Sequence, residues 1–476
     1  ITGSVDLDYM SAALPAITSA DQVTFDAGVK SSFTVTATGF PAAAFSETGA
    51  LPDGVTFDGN GLLSGTPPAG TGGSYQLQIT ATSGAGSVQQ AFTLIVPTQP
   101  SVYIPVGPVR VLDTRDGTGG SSGPVGAGHF ISLQVTGMDG VPATGVTAVV
   151  LNVTATDPTA TSFISVYPDG TPQPLASNLN FTAWETIPNL VSVPVGADGK
   201  VDFYNAAGST DLVADLAGYY ATSTSTGTGS SFVAAGPSRV LDTRNGTGGS
   251  PGPVGAGQFI SLQVAGVDGV PATGVTAVVL NLTATDPTAT SFVTAYPDGA
   301  TRPLASNLNF TRLETIPNLV IVPVGADGKV DFFNAAGSTD LVADLAGYYS
   351  GTGSSFVAAG PVRMLDTRNG TGGSSGPVGA GKWISLQVAG VDGVPATGVD
   401  AVVLNLTATD PTATSFVTAY PDGTTRPLAS NLNFYGWETI PNLVVVPVGA
   451  DGKVDFYNAA GSTDLVADLA GYYTSP

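Results

Sequence analysis

The sequence predicts an all-β fold built from tandem β-sandwich domains. Three observations carry that prediction. Apolar and polar residues alternate with a period of two over short segments, as in HFISLQVT at 129–136. Asp-Gly turns separate those segments. One long block, strand after strand with no convincing helix, occurs three times.

Each element of the first block can be justified in turn. HFISLQVT sets Phe130 and Ser132 on one face and Ile131, Leu133 and Val135 on the other. TAVVLNVTAT is rich in β-branched residues. SFISVY runs into the turn PDG, LVSVPVG meets KVDFYN across ADG, and STDLVADLAGYY follows the turn at AAGS. About eight short strands with regular turns suit a jelly roll or an Ig-like sandwich.

The block from Asp113 to Tyr220 recurs from Asp242 to Tyr349 and from Asp366 to Tyr473, 108 residues each without a gap. Length varies only in the Gly/Ser/Thr joints at 221–231 and 350–355, which read as flexible linkers. A block of this size can bury its own core, so three independent domains are expected. The divisions are 1–14 (an N-terminal strand segment), 15–98, 99–220, 232–349 and 356–473. The copies are so alike that their differences inform most. His129 becomes Gln258 and Lys382, TAWE at 182–185 becomes TRLE and YGWE, and Gln173 becomes Arg302 and Arg426.

Residues 15–97 do not match the repeat. They contain LPDGVTFDGNGLLSGTPP and end in YQLQITATSGAGSVQQAFTLIV. This resembles a bacterial Ig-like family of the cadherin/Ig type, whose domains carry LP-x-G-hydrophobic-x-F, then G-x-hydrophobic-SGTP, then a final strand pair. The resemblance implies a seven-stranded sandwich that spaces or adheres, without catalysis. The repeats, with SNLNF, VPVGADGKVDFYN and AGSTDLVADLAGYY, are similar to a module of secreted actinobacterial proteins that has no established activity. That resemblance implies an extracellular location.

Composition narrows the function. A net charge of −22 disfavours nucleic acid and anionic membranes as partners. Only 11% of residues are charged, so the acidity comes from missing Lys and Arg, and trypsin-like proteases find few sites. The absence of Cys removes disulfides and thiolate chemistry. No apolar run approaches the roughly 18 residues of a membrane span. Nothing after Ile1 reads as a signal peptide, so a secreted form would already have lost it.

RVLDTR, at 110–115 and 239–244 and as RMLDTR at 363–368, is the most conspicuous motif. Strand periodicity places Asp113 and Arg115 on one face and Arg110 on the other, out of reach of Asp113. The pairs Asp113–Arg115, Asp242–Arg244 and Asp366–Arg368 read as structural ion pairs. The functional alternative is an arginine fork for a sugar acid.

Catalysis is hard to build with one histidine, His129, which the other copies lack. Glu185 can be paired with Asp202 only on paper, so no enzyme and no required cofactor is expected. A Ca2+ site would draw on Asp198, Asp202 and Asp211, although Asp-Gly there is already explained by hairpin geometry. For carbohydrate, the TAWE loop offers Trp184 and Trp437 as platforms with Glu185 and Glu438 as acceptors, and Leu313 replaces the ring in the middle copy. The structural alternative packs each tryptophan onto its own sandwich edge. Asn-x-Thr triplets such as Asn152–Thr154 read as cross-strand polar pairs. In SVDLDYM at 4–10, Val5, Leu7 and Tyr9 alternate with aspartates, as a first strand or as an assembly strand that completes a neighbouring molecule's sheet.

The resulting expectation is a secreted, non-enzymatic structural or adhesive surface protein, with self-association into a filament through the N-terminal strand. The alternative is a multivalent binder of cell-wall or other polysaccharide. Neither nucleic acid nor membrane insertion is expected.

Overall fold

The computed structural model describes residues 12–68, 71–222 and 229–475. Every regular element among them is a β-strand. The N-terminal stretch with Val5, Leu7 and Tyr9 lies outside the described residues. The chain divides into two units, Ile1–Thr98 and Gln99–Pro476.

In the first unit, a sheet ordered Gln22–Thr24, Gly86–Val96, Gly73–Ser83, Ala44–Thr48 accompanies a smaller one ordered Ser31–Thr34, Leu62–Gly65, Val55–Phe57. Ala13–Ile17 pairs with Ala37–Phe40. The period-two pattern of AFTLIV buries Phe92, Leu94 and Val96, and Phe92 and Leu94 pack with Phe25, Val35, Leu63, Leu77 and Ile79. Gly61 closes the DGNG turn at φ +85°, where an added Cβ would sit 2.6 Å from the Val35 carbonyl oxygen.

In the second unit, each repeat is a two-sheet sandwich. In the first repeat the inner sheet is ordered Ile187–Pro194, Val146–Thr156, Ser209–Thr222, Ser101–Asp113. The outer sheet is ordered His129–Gln134, Lys200–Asn205, Ser162–Pro168, Leu179–Phe181. Leaving aside the two-residue strand Val125–Gly126, which pairs with Thr210 and Ser209, the other eight strands in chain order place 6-3-8-1 in one sheet and 2-7-4-5 in the other. That is the jelly roll of the two predicted topologies. The other repeats have the same order.

The three repeats do not form independent domains. They close around a pseudo-threefold axis as one body, and the inner strands explain why. In TAVVLNVTAT every residue is buried. Val149, Leu151, Val153 and Ala155 face the sandwich core, while Ala148 and Val150 join Tyr103, Leu190 and Tyr220 in a cluster shared with the other repeats. A strand buried on both faces reads as a continuous apolar run.

At one end of the axis the hydroxyls of Tyr220, Tyr349 and Tyr473 form a triangle with sides of 2.7, 2.7 and 2.5 Å. Burial pushes all three phenols far up in pKa, so they stay protonated. Phe356 stacks on Tyr220 at 3.9 Å, Tyr103 on Tyr349 at 4.4 Å and Phe232 on Tyr473 at 4.2 Å, each from another repeat. A Cβ at Gly218 or Gly347 would land on the ring of Tyr103 or Phe232, which accounts for the glycine in AGYY. Main-chain pairing closes the ring through Tyr103 with Ser230, Phe232 with Ser354, and Phe356 with Ser101. The joint at 350–355 is therefore pinned at Ser354 and is no loose linker.

Nearer the other end lies a buried asparagine ring. Asn189, Asn318 and Asn442 donate to Asn405, Asn152 and Asn281 of neighbouring repeats, each at 2.8 Å. They also accept from the amides of Leu443, Leu190 and Leu319. Asn152 is thus an inter-repeat residue and not a cross-strand partner on one sheet.

Candidate ligand-binding face

RVLDTR departs from simple strand periodicity. A register shift between Arg110 and Leu112 marks a bulge, which rotates the side chains that follow it. Arg110 therefore reaches Asp113 at 2.9 Å, contrary to the expectation from alternation, and also grips Asp215 at 2.5 Å. Arg115 forks onto Asp113 at 2.8 and 2.7 Å, holding its carboxyl below the usual range. Asp242 with Arg244 and Asp366 with Arg368 repeat that fork. Arg110, Arg239 and Arg363 each donate to a neighbouring repeat, at the carbonyls of Leu304, Leu428 and Leu175. The arginine fork is filled by the protein itself.

The candidate aspartates for Ca2+ are not brought together. Asp198 caps a hairpin and pairs with Lys200 at 2.7 Å. Asp202 is buried in the outer sheet against Ser132 at 2.6 Å. Asp211 accepts from Thr114 at 2.6 Å, on the inner sheet. Among the described residues no group of three or more His, Cys, Asp or Glu could hold a metal. Glu185 and Asp202 also sit apart, on a loop and in mid-sheet. His129 is exposed at the start of an edge strand.

The TAWE loops stand out. Ile187 pairs with Ala155, and Thr156 with Asp211, whereas Ser101 pairs with Thr222 and Pro194 with Ala148. The loops at 182–186, 311–315 and 435–439 therefore share one end of this unit. The tyrosine triangle and the joints between repeats occupy the other. Trp184 and Trp437 are 77% and 79% exposed and do not pack on the sandwich edge. Both have left-handed backbone, φ +70° and +69°, as does Leu313 at +66°. A bond of 2.7 Å from the Trp184 amide to the Pro158 carbonyl, and its counterpart from Trp437 to Pro411, holds them so. Bulky side chains rarely adopt this conformation, and such outliers cluster at ligand sites.

The glutamates brace the loops that carry them. Glu185 accepts from the Thr182 amide at 2.7 Å and its hydroxyl at 3.0 Å, and Glu438 accepts from the Tyr435 amide at 2.7 Å. One oxygen of each is thus committed to bracing its own loop. Burial, with repulsion from Glu185 and Glu314, pushes Glu438 up from 4.5 to about 7. Glu314 is raised in the same way by burial and by Glu185. Between those pH values the folded unit binds more protons than the unfolded chain, so stability falls as pH rises through the window. At about 1.4 kcal/mol per unit the cost at pH 8 has a ceiling of about 3 kcal/mol. Glu438→Gln is expected to raise the melting temperature by a few degrees at pH 8 and to leave it nearly unchanged at pH 4. An equal effect at both pH values in thermal denaturation would exclude a destabilising tip charge.

Residues 12–97 match the He_PIG family model, described as "Putative Ig domain". The N-terminal unit is an Ig-like domain. No curated protein matches the chain. Among solved structures, this chain is similar to SGBP-B of the Bacteroides ovatus mixed-linkage glucan utilization locus, solved in complex with mixed-linkage heptasaccharide. Identity is 10% over 95% of this chain and 98% of that one, with a TM-score of 0.16. A triple jelly roll protein of an archaeal virus gives 10% identity over 85% and 90%, with a TM-score of 0.17. A "putative alpha-galactosidase/melibiase" from Bacteroides fragilis gives 19% identity over 18% of this chain and 19% of that one, with a TM-score of 0.16. At TM-scores this low none of these likenesses bears on fold or function. The described residues contain no helix long and apolar enough to cross a membrane.

Proposed function

We propose that the protein is a non-enzymatic, extracellular adhesive surface protein whose three repeats form one binding head for polysaccharide. The carrying observation is the exposure of Trp184 and Trp437 on left-handed backbone, at the end of the unit opposite the joints between repeats. An exposed indole offers a flat apolar face to the C–H face of a sugar ring. Holding two of them on one rigid body lets a single chain engage two sites on a polymer at once. The Ig-like domain suits a spacer. Self-association through residues 4–10 is no part of this reading.

The test is retention of the intact protein on insoluble peptidoglycan, chitin, cellulose or arabinogalactan. Wild type should be held by at least one of them. Trp184→Ala with Trp437→Ala should weaken retention roughly 10- to 100-fold, at about 0.5–1.5 kcal/mol per ring. Retention on none of these, or equal retention by the double variant, would refute the proposal.

A further inference from the structure

The third repeat differs from the other two beside its tip loop. Tyr435 stands where they have Thr182 and Thr311. Its hydroxyl crosses the seam to the second repeat and donates to the Leu313 carbonyl at 2.8 Å. The ring is thereby held at both ends and becomes one wall of a cavity of about 340 Å3. Phe416, Phe434 and the alanines 459 and 460 supply further apolar surface, and Thr315 of the second repeat completes the rim.

The lining contains no charged side chain. Thr414, Ser415 and Asn433 contribute hydroxyl and amide groups, and Asn433 lies directly across the strand ladder from Phe416. Ser415 is occupied, donating to Asn458 and accepting from the Ala460 amide. Asn433 accepts from Ser430 through its oxygen at 2.9 Å. Neither its Nδ2 nor the Thr414 hydroxyl has a partner among the described residues, so both are available to a ligand. The volume falls at the small end of ligand pockets, which is the scale of one or two sugar rings.

We infer that this seam between the second and third repeats is a binding pocket for a neutral pyranose. The apolar C–H face of the sugar lies against Tyr435 and Phe416, and Asn433 Nδ2 and Thr414 bond its hydroxyls. An anion has no cation to meet there, and a cation has no carboxylate in the lining. A braced tyrosine loses little freedom on binding, so the pocket is pre-organised. The inference rests on the polysaccharide-binding reading and gives that ligand a second, distinct point of contact.

The experiment is saturation-transfer NMR on the intact protein with methyl glycosides of glucose, galactose, mannose, xylose and N-acetylglucosamine. At least one should bind in the millimolar range. Tyr435→Thr installs the residue found in the other two repeats, so the fold should be kept, which an unchanged melting temperature would verify. It should weaken binding at least tenfold, and Asn433→Ala several-fold. The same comparison in a Trp184→Ala, Trp437→Ala background, where sugar held by the two exposed rings no longer contributes, should again show Tyr435→Thr weakening binding at least tenfold, while that background by itself reduces retention on insoluble glycans. No binding of any glycoside at tens of millimolar, or equal binding by Tyr435→Thr, would overturn the pocket. Loss of retention in the tryptophan variant would still stand for the adhesive head, so the two readings fail separately. Binding of benzyl alcohol in place of all five glycosides would also overturn the assignment, because it would make the pocket a purely apolar one.

Discussion

Arg239→Ala is expected to lower the unfolding free energy of the repeat unit by about 3–5 kcal/mol. Arg239 donates to Asp344 at 2.6 and 3.2 Å, to Asp242 at 3.2 Å and to the Leu428 carbonyl of the next repeat at 3.1 Å. The Asp344 side chain is only 2% exposed. Truncating the arginine strands that carboxylate away from water, and this sets the magnitude. Urea unfolding monitored by tryptophan and tyrosine fluorescence reads the change as a lower midpoint. Arg239→Lys keeps the charge and loses the planar fork, so it should fall between wild type and alanine. Adding Asp344→Asn to Arg239→Ala should recover part of the loss, since the stranded charge is then gone. A loss below about 1 kcal/mol for the alanine variant would place this contact with ordinary surface pairs.

The second large effect is expected at the asparagine ring. Asn318 donates to Asn152 at 2.8 Å and to the Asn307 carbonyl at 2.5 Å, and accepts from the Leu190 amide at 3.1 Å. Asn318→Ala would leave those three groups unpaired at about 1–3 kcal/mol each, a destabilisation of about 3–9 kcal/mol. Two of the partners belong to the first repeat. A cycle of Asn152→Ala, Asn318→Ala and the double variant should therefore show coupling of about 1 kcal/mol or more. Additive losses would mean that the first and second repeats are energetically separate bodies. The same cycle on Asn281 with Asn442, and on Asn405 with Asn189, should give the same sign, because the ring is cyclic.

Much of the architecture was legible in local pattern. The Asp-Gly turns and period-two segments located the strands of each sandwich, and LPDGVTF with SGTP located the Ig-like domain. RVLDTR is conspicuous in the sequence, but its geometry is not the one alternation predicts. Alternation assumes an unbroken ladder, and the bulge between Arg110 and Leu112 turns Arg110 toward Asp113. The tryptophans were found by residue type, while their exposure depended on a bond to the Pro158 or Pro411 carbonyl from a distant loop. Tyr435 was visible as a difference between copies. Nothing in the sequence showed that its hydroxyl would reach Leu313.

A signal for the assembly of the repeats was also present. TAVVLNVTAT and IPNLVSVP do not alternate, and strands covered on both faces read this way. An Asn inside such a run, as at Asn152, marks a polar group that must find a buried partner.

The sequence by itself determined the all-β class, the Ig-like domain and the threefold repetition, because turn chemistry and side-chain alternation act over a few residues. Tertiary structure alone decided that the repeats share one axis, which carboxylate each arginine holds, and which aromatic rings face solvent. The shared axis depends on contacts between residues more than a hundred positions apart, such as Tyr220 with Tyr349, and the other two on a bulge and on loop-to-loop bonds that strand alternation does not display. They depend also on the cost of leaving a buried polar group unpaired, which no local pattern can register.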